Sequence, residues 1–397
     1  MIAQSLKNII VVGGSYIGRV TAQELAKVIP PTHRVLLIEP HSHFHHLFTF
    51  PRFAIVPGQE HKAFIPYSGT FAAVPNSASH AFVQARVLSI QPQHVTLDRQ
   101  WQGSDQIPFE YLALATGTRL AQPAAMQYDD KPSSVQYLQD HQKGLKNSKS
   151  ILIVGGGAVG VQMATDLKEY YPDKKVTVVQ SRAQVMPQYH RKFHELIKKR
   201  FDDLGIDLIT GSRVTIPSSG FLNNGTPFDV QLTNGDTVST EFVILATGQK
   251  PNNGLVANLE QSNPGSVINP TNGFIRVRPT LQFLDKKYSN LFAVGDIADT
   301  GAHKAARPGV AQAAVLAKNV QALIEGRQPE EAFVRGPAAI HLTLGMTENV
   351  VFRNPNEAEG QTEPTIIPRN DGQEDMNVEG FWKRAGVEIN SPQQYHL

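Results

Sequence analysis

The chain has 397 residues, of which 41% are hydrophobic and 18% charged, and its formal net charge is +2. This length is too great for one compact core and favours two or three domains, and the near-neutral charge gives no reason to expect a nucleic-acid partner. The sequence contains no cysteine, which excludes a catalytic thiol, a disulfide relay and an iron–sulfur cluster, so electron transfer would have to use a bound organic cofactor.

The apolar runs are too short to cross a membrane. The longest, at residues 8–12 and 151–154, fall far below the roughly 20 residues that a transmembrane helix requires. The first glycine motif lies close to Met1, so we expect neither a signal peptide nor a myristoylation site. The sequence therefore predicts a soluble, cytoplasmic protein without a transmembrane segment. Peripheral contact with a membrane surface, a mitochondrial location and a homodimer stay open.

A glycine motif follows the first predicted strand. Gly13 permits a tight strand-to-helix turn and Gly18 permits close helix–strand packing, so a pyrophosphate can lie against the N-terminus of the following helix. Ser15 stands where this motif usually has glycine. Glu39 ends the next predicted strand about 20 residues further on, where an acid binds a ribose hydroxyl. The pattern predicts a dinucleotide site.

A second copy of this pattern begins at residue 151. Gly155, Gly157 and Gly160 complete a G-x-G-x-x-G motif, and the next predicted strand ends at Gln180, which replaces the usual acid. Each of the two units closes on a strand that ends in Ala-Thr-Gly. The repeat predicts an α/β fold with two nested Rossmann-like dinucleotide-binding domains.

The rest of the chain adds a late Gly-Asp strand end at Asp296, a helix from Pro308 to about Glu325, and a proline-rich segment from residue 331. Proline suits the first turn of a helix because its missing N–H costs nothing there. The last segment is predicted to form a small C-terminal domain or wrapping tail. The Phe381-Trp382 pair is predicted to anchor it onto the body, with a substrate-facing role as the alternative.

These features resemble the two-dinucleotide-binding-domain flavoproteins over about residues 7–325. Ser42-His-Phe-His-His46, Arg52, the run 62–68 and the run 351–355 narrow the resemblance to the apoptosis-inducing-factor-like, ferroptosis-suppressor-type NAD(P)H:quinone oxidoreductases, especially fungal members. The resemblance implies that FAD binds the first unit, at residues 1–120 and 279–330. NADPH or NADH then binds residues 121–278, and residues 331–397 form an interface domain.

The resemblance also assigns residues to the two cofactors. In the first unit the expected cofactor-binding residues are Gly13, Gly14, Ser15, Gly18, Glu39, Arg52, Val83, Thr116, Gly117, Asp296 and Lys304. In the second unit they are Gly155, Gly157, Gly160, Gln180, Arg182, Thr247 and Gly248. The helix near Pro308 would direct its positive end at the flavin, and Lys304 would reinforce that charge.

Two clusters of histidines could each be a metal site or could have an ordinary structural role. His41, His43, His45 and His46 could bind a metal, but the resemblance implies that their loop folds over the flavin. His190 and His194 lack the His-Glu-x-x-His order of zinc proteases, and a solvated helix is favoured. We therefore predict no metal. His46 and Lys304 are the candidate catalytic residues, His46 for hydrogen bonding or proton delivery.

The predicted reaction is hydride transfer from NAD(P)H to FAD, followed by electron transfer to a quinone or another small aromatic acceptor. Gln312 lies in a segment that resembles half of the quinone-site motif of type II NADH dehydrogenases, although Leu316 replaces its second glutamine. A tailoring oxidoreductase and a redox-sensing flavoprotein stay open as alternatives. Because Gln180 is uncharged and Arg182 follows it, the enzyme is expected to accept NADPH and to bind its 2′-phosphate through Arg182.

Overall fold

The computed structural model describes residues 6–397. Within this range the α-helices are α1 (Tyr16–Val28), α2 (Phe50–Phe53), α3 (Lys131–Asn147), α4 (Ala158–Tyr170), α5 (Arg191–Leu204), α6 (Ala306–Ile324) and α7 (Val378–Arg384). None of them is long and apolar enough to cross a membrane.

The strands fall into three groups along the chain. The first group is β1 (Lys7–Val12), β2 (His33–Glu39), β3 (His43–His45), β4 (Phe64–Pro66), β5 (Ala81–Gln84), β6 (Val87–Ile90), β7 (His94–Trp101), β8 (Ser104–Pro108), β9 (Tyr111–Leu114) and β10 (Thr118–Arg119). The second is β11 (Ser150–Val154), β12 (Lys175–Gln180), β13 (Asp207–Thr210), β14 (Phe228–Gln231), β15 (Thr237–Thr240), β16 (Phe242–Leu245) and β17 (Lys250–Pro251). The third is β18 (Ile275–Arg276), β19 (Leu291–Ala293), β20 (Ala298–Asp299), β21 (Ala339–Thr343), β22 (Asn349–Arg353) and β23 (Thr365–Arg369).

The first unit is built on a five-stranded sheet in the order β19-β9-β1-β2-β5, and all of its strands are parallel. Its central strand β1 buries consecutive side chains such as Ile10 and Val11 completely. Consecutive buried residues are expected when both faces of a parallel sheet are covered. Because β19 returns from residue 291, this unit is discontinuous in the sequence. The predicted α/β fold is confirmed.

The second unit is a parallel sheet in the order β13-β12-β11-β16. The chain crosses between the two units twice, and the crossing strands β10 and β17 pair antiparallel. Thr116 and Asn252 tie these crossings together, because the Thr116 hydroxyl donates to the Asn252 carbonyl at 2.9 Å and the Asn252 amide returns a hydrogen bond at 2.8 Å. The two units thus share a double connection.

The C-terminal segment forms an antiparallel sheet, β21-β22-β23, followed by α7. The sheet packs on the second unit, where Phe352 stacks on Phe193 of α5 at 4.3 Å between ring centroids. The tail packs on the first unit: Trp382 is fully buried and donates its indole N–H to the Lys62 carbonyl at 2.7 Å. The predicted anchoring of the tail is confirmed, and the exact domain boundaries stay a prediction.

Candidate cofactor sites

The turn between β1 and α1 has no room for side chains. Gly13 has a φ of +101°, and a Cβ added to it would lie 2.6 Å from the Ala115 carbonyl oxygen. A Cβ at Gly18 would lie 1.7 Å from the Gly13 oxygen, so α1 packs directly against the turn. No side chain caps α1 at Ser15, which leaves the first N–H groups of the helix available to an anion. This arrangement fits the pyrophosphate of FAD.

Glu39 lies buried at the carboxyl end of β2, beside this turn. Its Oε2 accepts a hydrogen bond from the Gly14 N–H at 2.5 Å, and its Oε1 accepts one from the His41 N–H at 3.2 Å. The carboxylate is therefore held at the place where a Rossmann fold binds the hydroxyls of a ribose.

Asp296 and Lys304 lie between β19 and α6. Burial raises the pKa of Asp296, while the nearby charge of Lys304 acts in the opposite direction. Lys304 donates to the Ala298 carbonyl at 2.6 Å and lies 4.0 Å from the ring centroid of Phe274, and burial lowers its pKa. Helix α6 begins at Ala306, slightly before the predicted Pro308, and no side chain caps it. The cofactor contacts of Asp296 and Lys304 stay predictions.

We expect Asp296→Ala to weaken FAD binding by about tenfold, which corresponds to the loss of one hydrogen bond of about 1.4 kcal/mol. Titration of the apoprotein with FAD, followed by flavin fluorescence, measures the change. Asp299→Ala is the matched control, because Asn269 holds the Asp299 carboxylate at 2.7 Å within the protein. A variant at position 296 that keeps FAD but loses NAD(P)H would reverse the assignment of the two units.

The turn between β11 and α4 repeats the geometry of the first turn. Gly155 has a φ of +119°, and a Cβ there would lie 2.2 Å from the Ala246 oxygen. A Cβ at Gly160 would lie 1.9 Å from the Gly155 oxygen. Gly157 caps α4 without a side chain, and no atom lies within 4 Å of a Cβ added to it. This open helix N-terminus fits the pyrophosphate of NAD(P)H.

Gln180 ends β12 in the position that Glu39 has in the first unit. Its Oε1 accepts from the Gly156 N–H at 3.1 Å, and its Nε2 donates to the Gln184 carbonyl at 3.0 Å. The side chain is buried and fixed at both ends. Arg182 lies two residues further on and is exposed, and its guanidinium makes no ion pair with any residue between 6 and 397.

His46 follows β3 and lies beside the first residue of α1. The Tyr16 hydroxyl accepts from the Phe48 N–H at 3.4 Å and is hydrogen-bonded to the Nδ1 of His46 at 2.5 Å, with the direction of the second bond set by the tautomer of the imidazole. Phe381 of α7 stacks on the imidazole at 4.0 Å. Burial, together with the charge of Arg384, lowers the pKa of His46 to about 3. The imidazole is therefore neutral at physiological pH.

The remaining histidines of this loop face different partners. His41 contacts Glu39, His43 contacts the Leu397 carbonyl at 2.8 Å, and His45 packs among aromatic rings. Within residues 6–397 the structure contains no group of three or more His, Asp or Glu side chains arranged for a metal ion. His190 is a cap and not part of a helix face, because α5 begins at Arg191. The solvated helix that the sequence favours therefore contains His194 but not His190.

Several predicted cofactor residues lie away from the two turns. Val83 is buried in β5, paired with Ile38. Gly117 and Gly248 have positive φ angles and open space around them. They lie with Thr116 and Thr247 at the crossings between the units. The cofactor contacts of these residues stay predictions.

Two further side chains are already held by protein groups. Arg52 is fully buried and is bound by Asp166, and its predicted contact with FAD stays a prediction. Gln312 accepts from the Gly295 N–H at 2.7 Å and donates to Thr300 at 3.3 Å. Its amide therefore stabilises the loop before α6.

Sequence reasoning missed Tyr16, Phe381 and Asp166. Tyr16 stands at a variable position of the glycine motif, and no spacing rule pairs it with His46. Phe381 was expected to anchor the tail or to face the substrate, without any contact to His46, and Asp166 lies in the third turn of a helix without any motif of its own. The isolated sequence contains no signal for these contacts, because each one joins segments that are remote along the chain.

The comparisons with known proteins all indicate the same family of flavin-dependent oxidoreductases. The family model described as pyridine nucleotide-disulphide oxidoreductase matches residues 7–317. Fe-regulated protein 8 of Mycosarcoma maydis is 31% identical over 401 aligned residues, which cover 96% of this chain and 95% of the relative. Ferroptosis suppressor protein 1 of Homo sapiens is 29% identical and covers 86% and 87%. A sulfide:quinone oxidoreductase from Aquifex aeolicus has a similar fold, with a TM-score of 0.71 at 20% identity, covering 96% of this chain and 92% of that one.

Proposed function

Because the chain belongs to the pyridine nucleotide-disulphide oxidoreductase family and is an NAD(P)H-dependent FAD oxidoreductase, we propose that it passes electrons from its flavin to a quinone or another small aromatic acceptor. The absence of cysteine from the sequence carries the proposal. Without a thiol the chain has no disulfide of its own to relay electrons, so the acceptor must meet the flavin directly. A protein with this fold is a sulfide:quinone oxidoreductase, and the fold can therefore serve a quinone.

The protein's own groups bind and orient the reactants. The turn at Gly13 and the carboxylate of Glu39 would hold FAD, and the turn at Gly155 would hold NAD(P)H. When bound, these cofactors supply the hydride and electron chemistry. Lys304 and the uncapped start of α6 would place positive charge near the flavin, which favours the reduced form. The protein thus contributes position and electrostatics.

The aromatic side chains around His46 support an aromatic acceptor. Tyr16, Phe48 and Phe381 surround the imidazole, and Phe44 packs behind them against Tyr16 and Phe381. Phe48 is 53% exposed, so one ring of this cluster faces solvent. A planar acceptor would find faces and edges to pack against there.

His46 would donate a hydrogen bond to the acceptor. Reduction of a quinone by NAD(P)H transfers one hydride and takes up one proton, so the acceptor oxygen gains negative charge as the hydride arrives. With the Tyr16 hydroxyl as the donor in its hydrogen bond to Nδ1, the neutral imidazole would present an Nε2–H to the acceptor. This donor stabilises the developing charge, and the proton is taken up from solvent.

We expect His46→Phe to slow reoxidation of the reduced flavin by a quinone about tenfold, while its reduction by NAD(P)H is unchanged. His46→Gln keeps an N–H donor and should recover part of the rate. Because the pKa of His46 lies at about 3, the wild-type rate should show no titration of this group between about pH 5 and 8. Stopped-flow absorbance at several pH values measures the rates of the two variants and the pH dependence of the wild-type rate. A wild-type inflection near the usual histidine pKa that His46→Phe abolishes would contradict a neutral donor.

An acceptor panel tests the proposed function. The purified flavoprotein is reduced anaerobically with NADH or NADPH and mixed with short-chain ubiquinone, menadione, benzoquinone or oxygen. We expect several quinones to reoxidise the flavin much faster than oxygen does. A flavin that no quinone reoxidises faster than oxygen would contradict the proposal. Reoxidation by a single aromatic compound would indicate a tailoring enzyme.

A further inference from the structure

Arg52 joins three parts of the chain at one buried point. It lies in α2 of the first unit, directly after the His46 loop, and its side chain is fully buried. Its Nε and Nη2 donate to the two carboxylate oxygens of Asp166 in α4, at 2.6 and 2.9 Å. Nη2 also donates to the Gly345 carbonyl at 2.8 Å, and Nη1 to the Gln373 carbonyl at 3.3 Å. The last two acceptors belong to the C-terminal segment.

The Arg52–Asp166 pair fixes an orientation and not merely a contact. Both side chains are fully buried, and the two parallel hydrogen bonds allow one relative arrangement of guanidinium and carboxylate. Burial raises the pKa of Asp166 to about 6, although the charge of Arg52 acts against this rise. A buried pair of this kind contributes little net stability relative to apolar side chains of similar size. We therefore infer that the main role of the pair is to fix the relative orientation of the two helices that it joins.

The turn between β21 and β22 completes the junction. Gly345 has a φ of +129°, and a Cβ there would lie 2.2 Å from the Oε1 of Glu169 in α4. The other oxygen of Glu169 accepts from the Met346 N–H at 2.5 Å, and Arg200 of α5 donates to the Leu344 carbonyl at 2.9 Å. The turn therefore packs closely on α4 and α5, and its Gly345 carbonyl accepts a hydrogen bond from Arg52.

We propose that Arg52 is a positioning residue for hydride transfer, because it fixes helix α4 of the nucleotide unit against helix α2 of the flavin unit. Helix α4 follows the Gly155 turn and begins at Ala158. Asp166 lies eight residues after Ala158, which is about 12 Å along the helix axis. The pair therefore sets the direction of the helix that carries the nicotinamide nucleotide. This inference rests on the transfer from NAD(P)H to FAD and not on the identity of the acceptor.

Arg52→Lys tests the geometry with the charge retained. A lysine ammonium cannot make the two parallel hydrogen bonds, so α4 loses its fixed orientation. We expect flavin reduction by NADPH or NADH to slow by about tenfold or more, since displacements near 1 Å can cost up to about a hundredfold. The flavin content, and the rate at which a quinone or oxygen reoxidises the chemically reduced flavin, should stay at the wild-type values.

Hydrogen–deuterium exchange of the apoprotein gives a readout that does not depend on turnover. We expect faster exchange in α4 and in residues 344–346 of the Arg52→Lys protein. Arg86→Lys is the control, because Arg86 also pairs with both oxygens of a carboxylate, that of Asp129 at 2.9 and 2.7 Å, but does so on the surface and through its Nη2 alone. The control should change neither exchange in α4 nor flavin reduction.

The double variant Arg52→Met/Asp166→Leu distinguishes an effect on the orientation of α4 from an effect on the stability of the protein. It also replaces Arg52→Lys as the test if that variant does not fold. It leaves no unpaired buried charge, so we expect a melting temperature near that of the wild type and still a slow flavin reduction. Wild-type flavin reduction in a folded double variant would overturn the proposal. So would loss of flavin with unchanged exchange in α4, which would make Arg52 an FAD contact.

Discussion

We expect the Gly13→Val protein to purify almost free of flavin. Gly13 adopts a φ of +101°, a region that a β-branched residue resists. A Cβ there would lie 2.6 Å from the Ala115 oxygen and 2.9 Å from the Ala115 carbonyl carbon. These are backbone atoms at the end of β9, so the turn must move away from the sheet. The N–H groups at the start of α1 then no longer converge on the pyrophosphate.

The ratio of flavin to protein absorbance after gel filtration measures this effect. Gly103→Val is the matched control, because Gly103 also has a positive φ, of +88°, but no atom lies within 4 Å of an added Cβ. The control should suffer the backbone strain and keep its flavin. Retained NAD(P)H binding would show that the Gly13→Val protein is folded. A normal flavin content in that protein would mean that this turn is not the FAD site.

The local steric motifs could be predicted from the sequence. Glycine at 18 and 160 is demanded by close contact with the Gly13 and Gly155 oxygens, five residues earlier in the chain. Glycine at 13 and 155 is demanded by a positive φ, and the carbonyls that these two residues approach belong to the remote residues Ala115 and Ala246. The strand that ends at Gln180 has the predicted bounds for the same reason. The repeated glycine motif, each copy with a second strand behind it and an Ala-Thr-Gly strand end, was enough to indicate two Rossmann-like units. Such features depend on backbone geometry, which a short sequence window determines.

The junctions between the units could not be predicted. Arg52 and Asp166 are 114 residues apart, and Arg52 and the Gly345 carbonyl are 293 apart. The hydrogen bonds of Arg52 to three segments of the chain had no signal in the sequence, and the FAD contact that the resemblance implies for it stays a prediction. The stacking of Phe381 on His46 likewise needs the tail to return to the first unit. Contacts of this kind follow from how whole units pack, and no local pattern encodes them.

We expect NADPH to reduce the flavin at least as effectively as NADH does. In a unit that selects NADH, an acid at the end of this strand binds the ribose hydroxyls and repels a 2′-phosphate. Gln180 carries no charge, and its amide is engaged by the Gly156 N–H and the Gln184 carbonyl. No carboxylate at this position opposes the phosphate. The exposed guanidinium of Arg182 lies beside the same strand end and can form a charge-assisted contact with it.

Arg182→Ala should therefore lower the preference for NADPH over NADH. A charge-assisted contact of this kind contributes about 1.5–3 kcal/mol, or about one to two decades in affinity. Gln180→Glu should act in the same direction, by adding the repulsion that the chain lacks. Arg191→Ala is the control, since Arg191 is an exposed arginine of the same unit that pairs with Glu195 at 3.0 Å. Anaerobic flavin reduction at several concentrations of each nucleotide gives the ratio of affinities. If Arg182→Ala leaves this ratio unchanged, Arg182 does not bind the phosphate, and a wild-type preference for NADH of about a hundredfold would contradict the role of Gln180 as well.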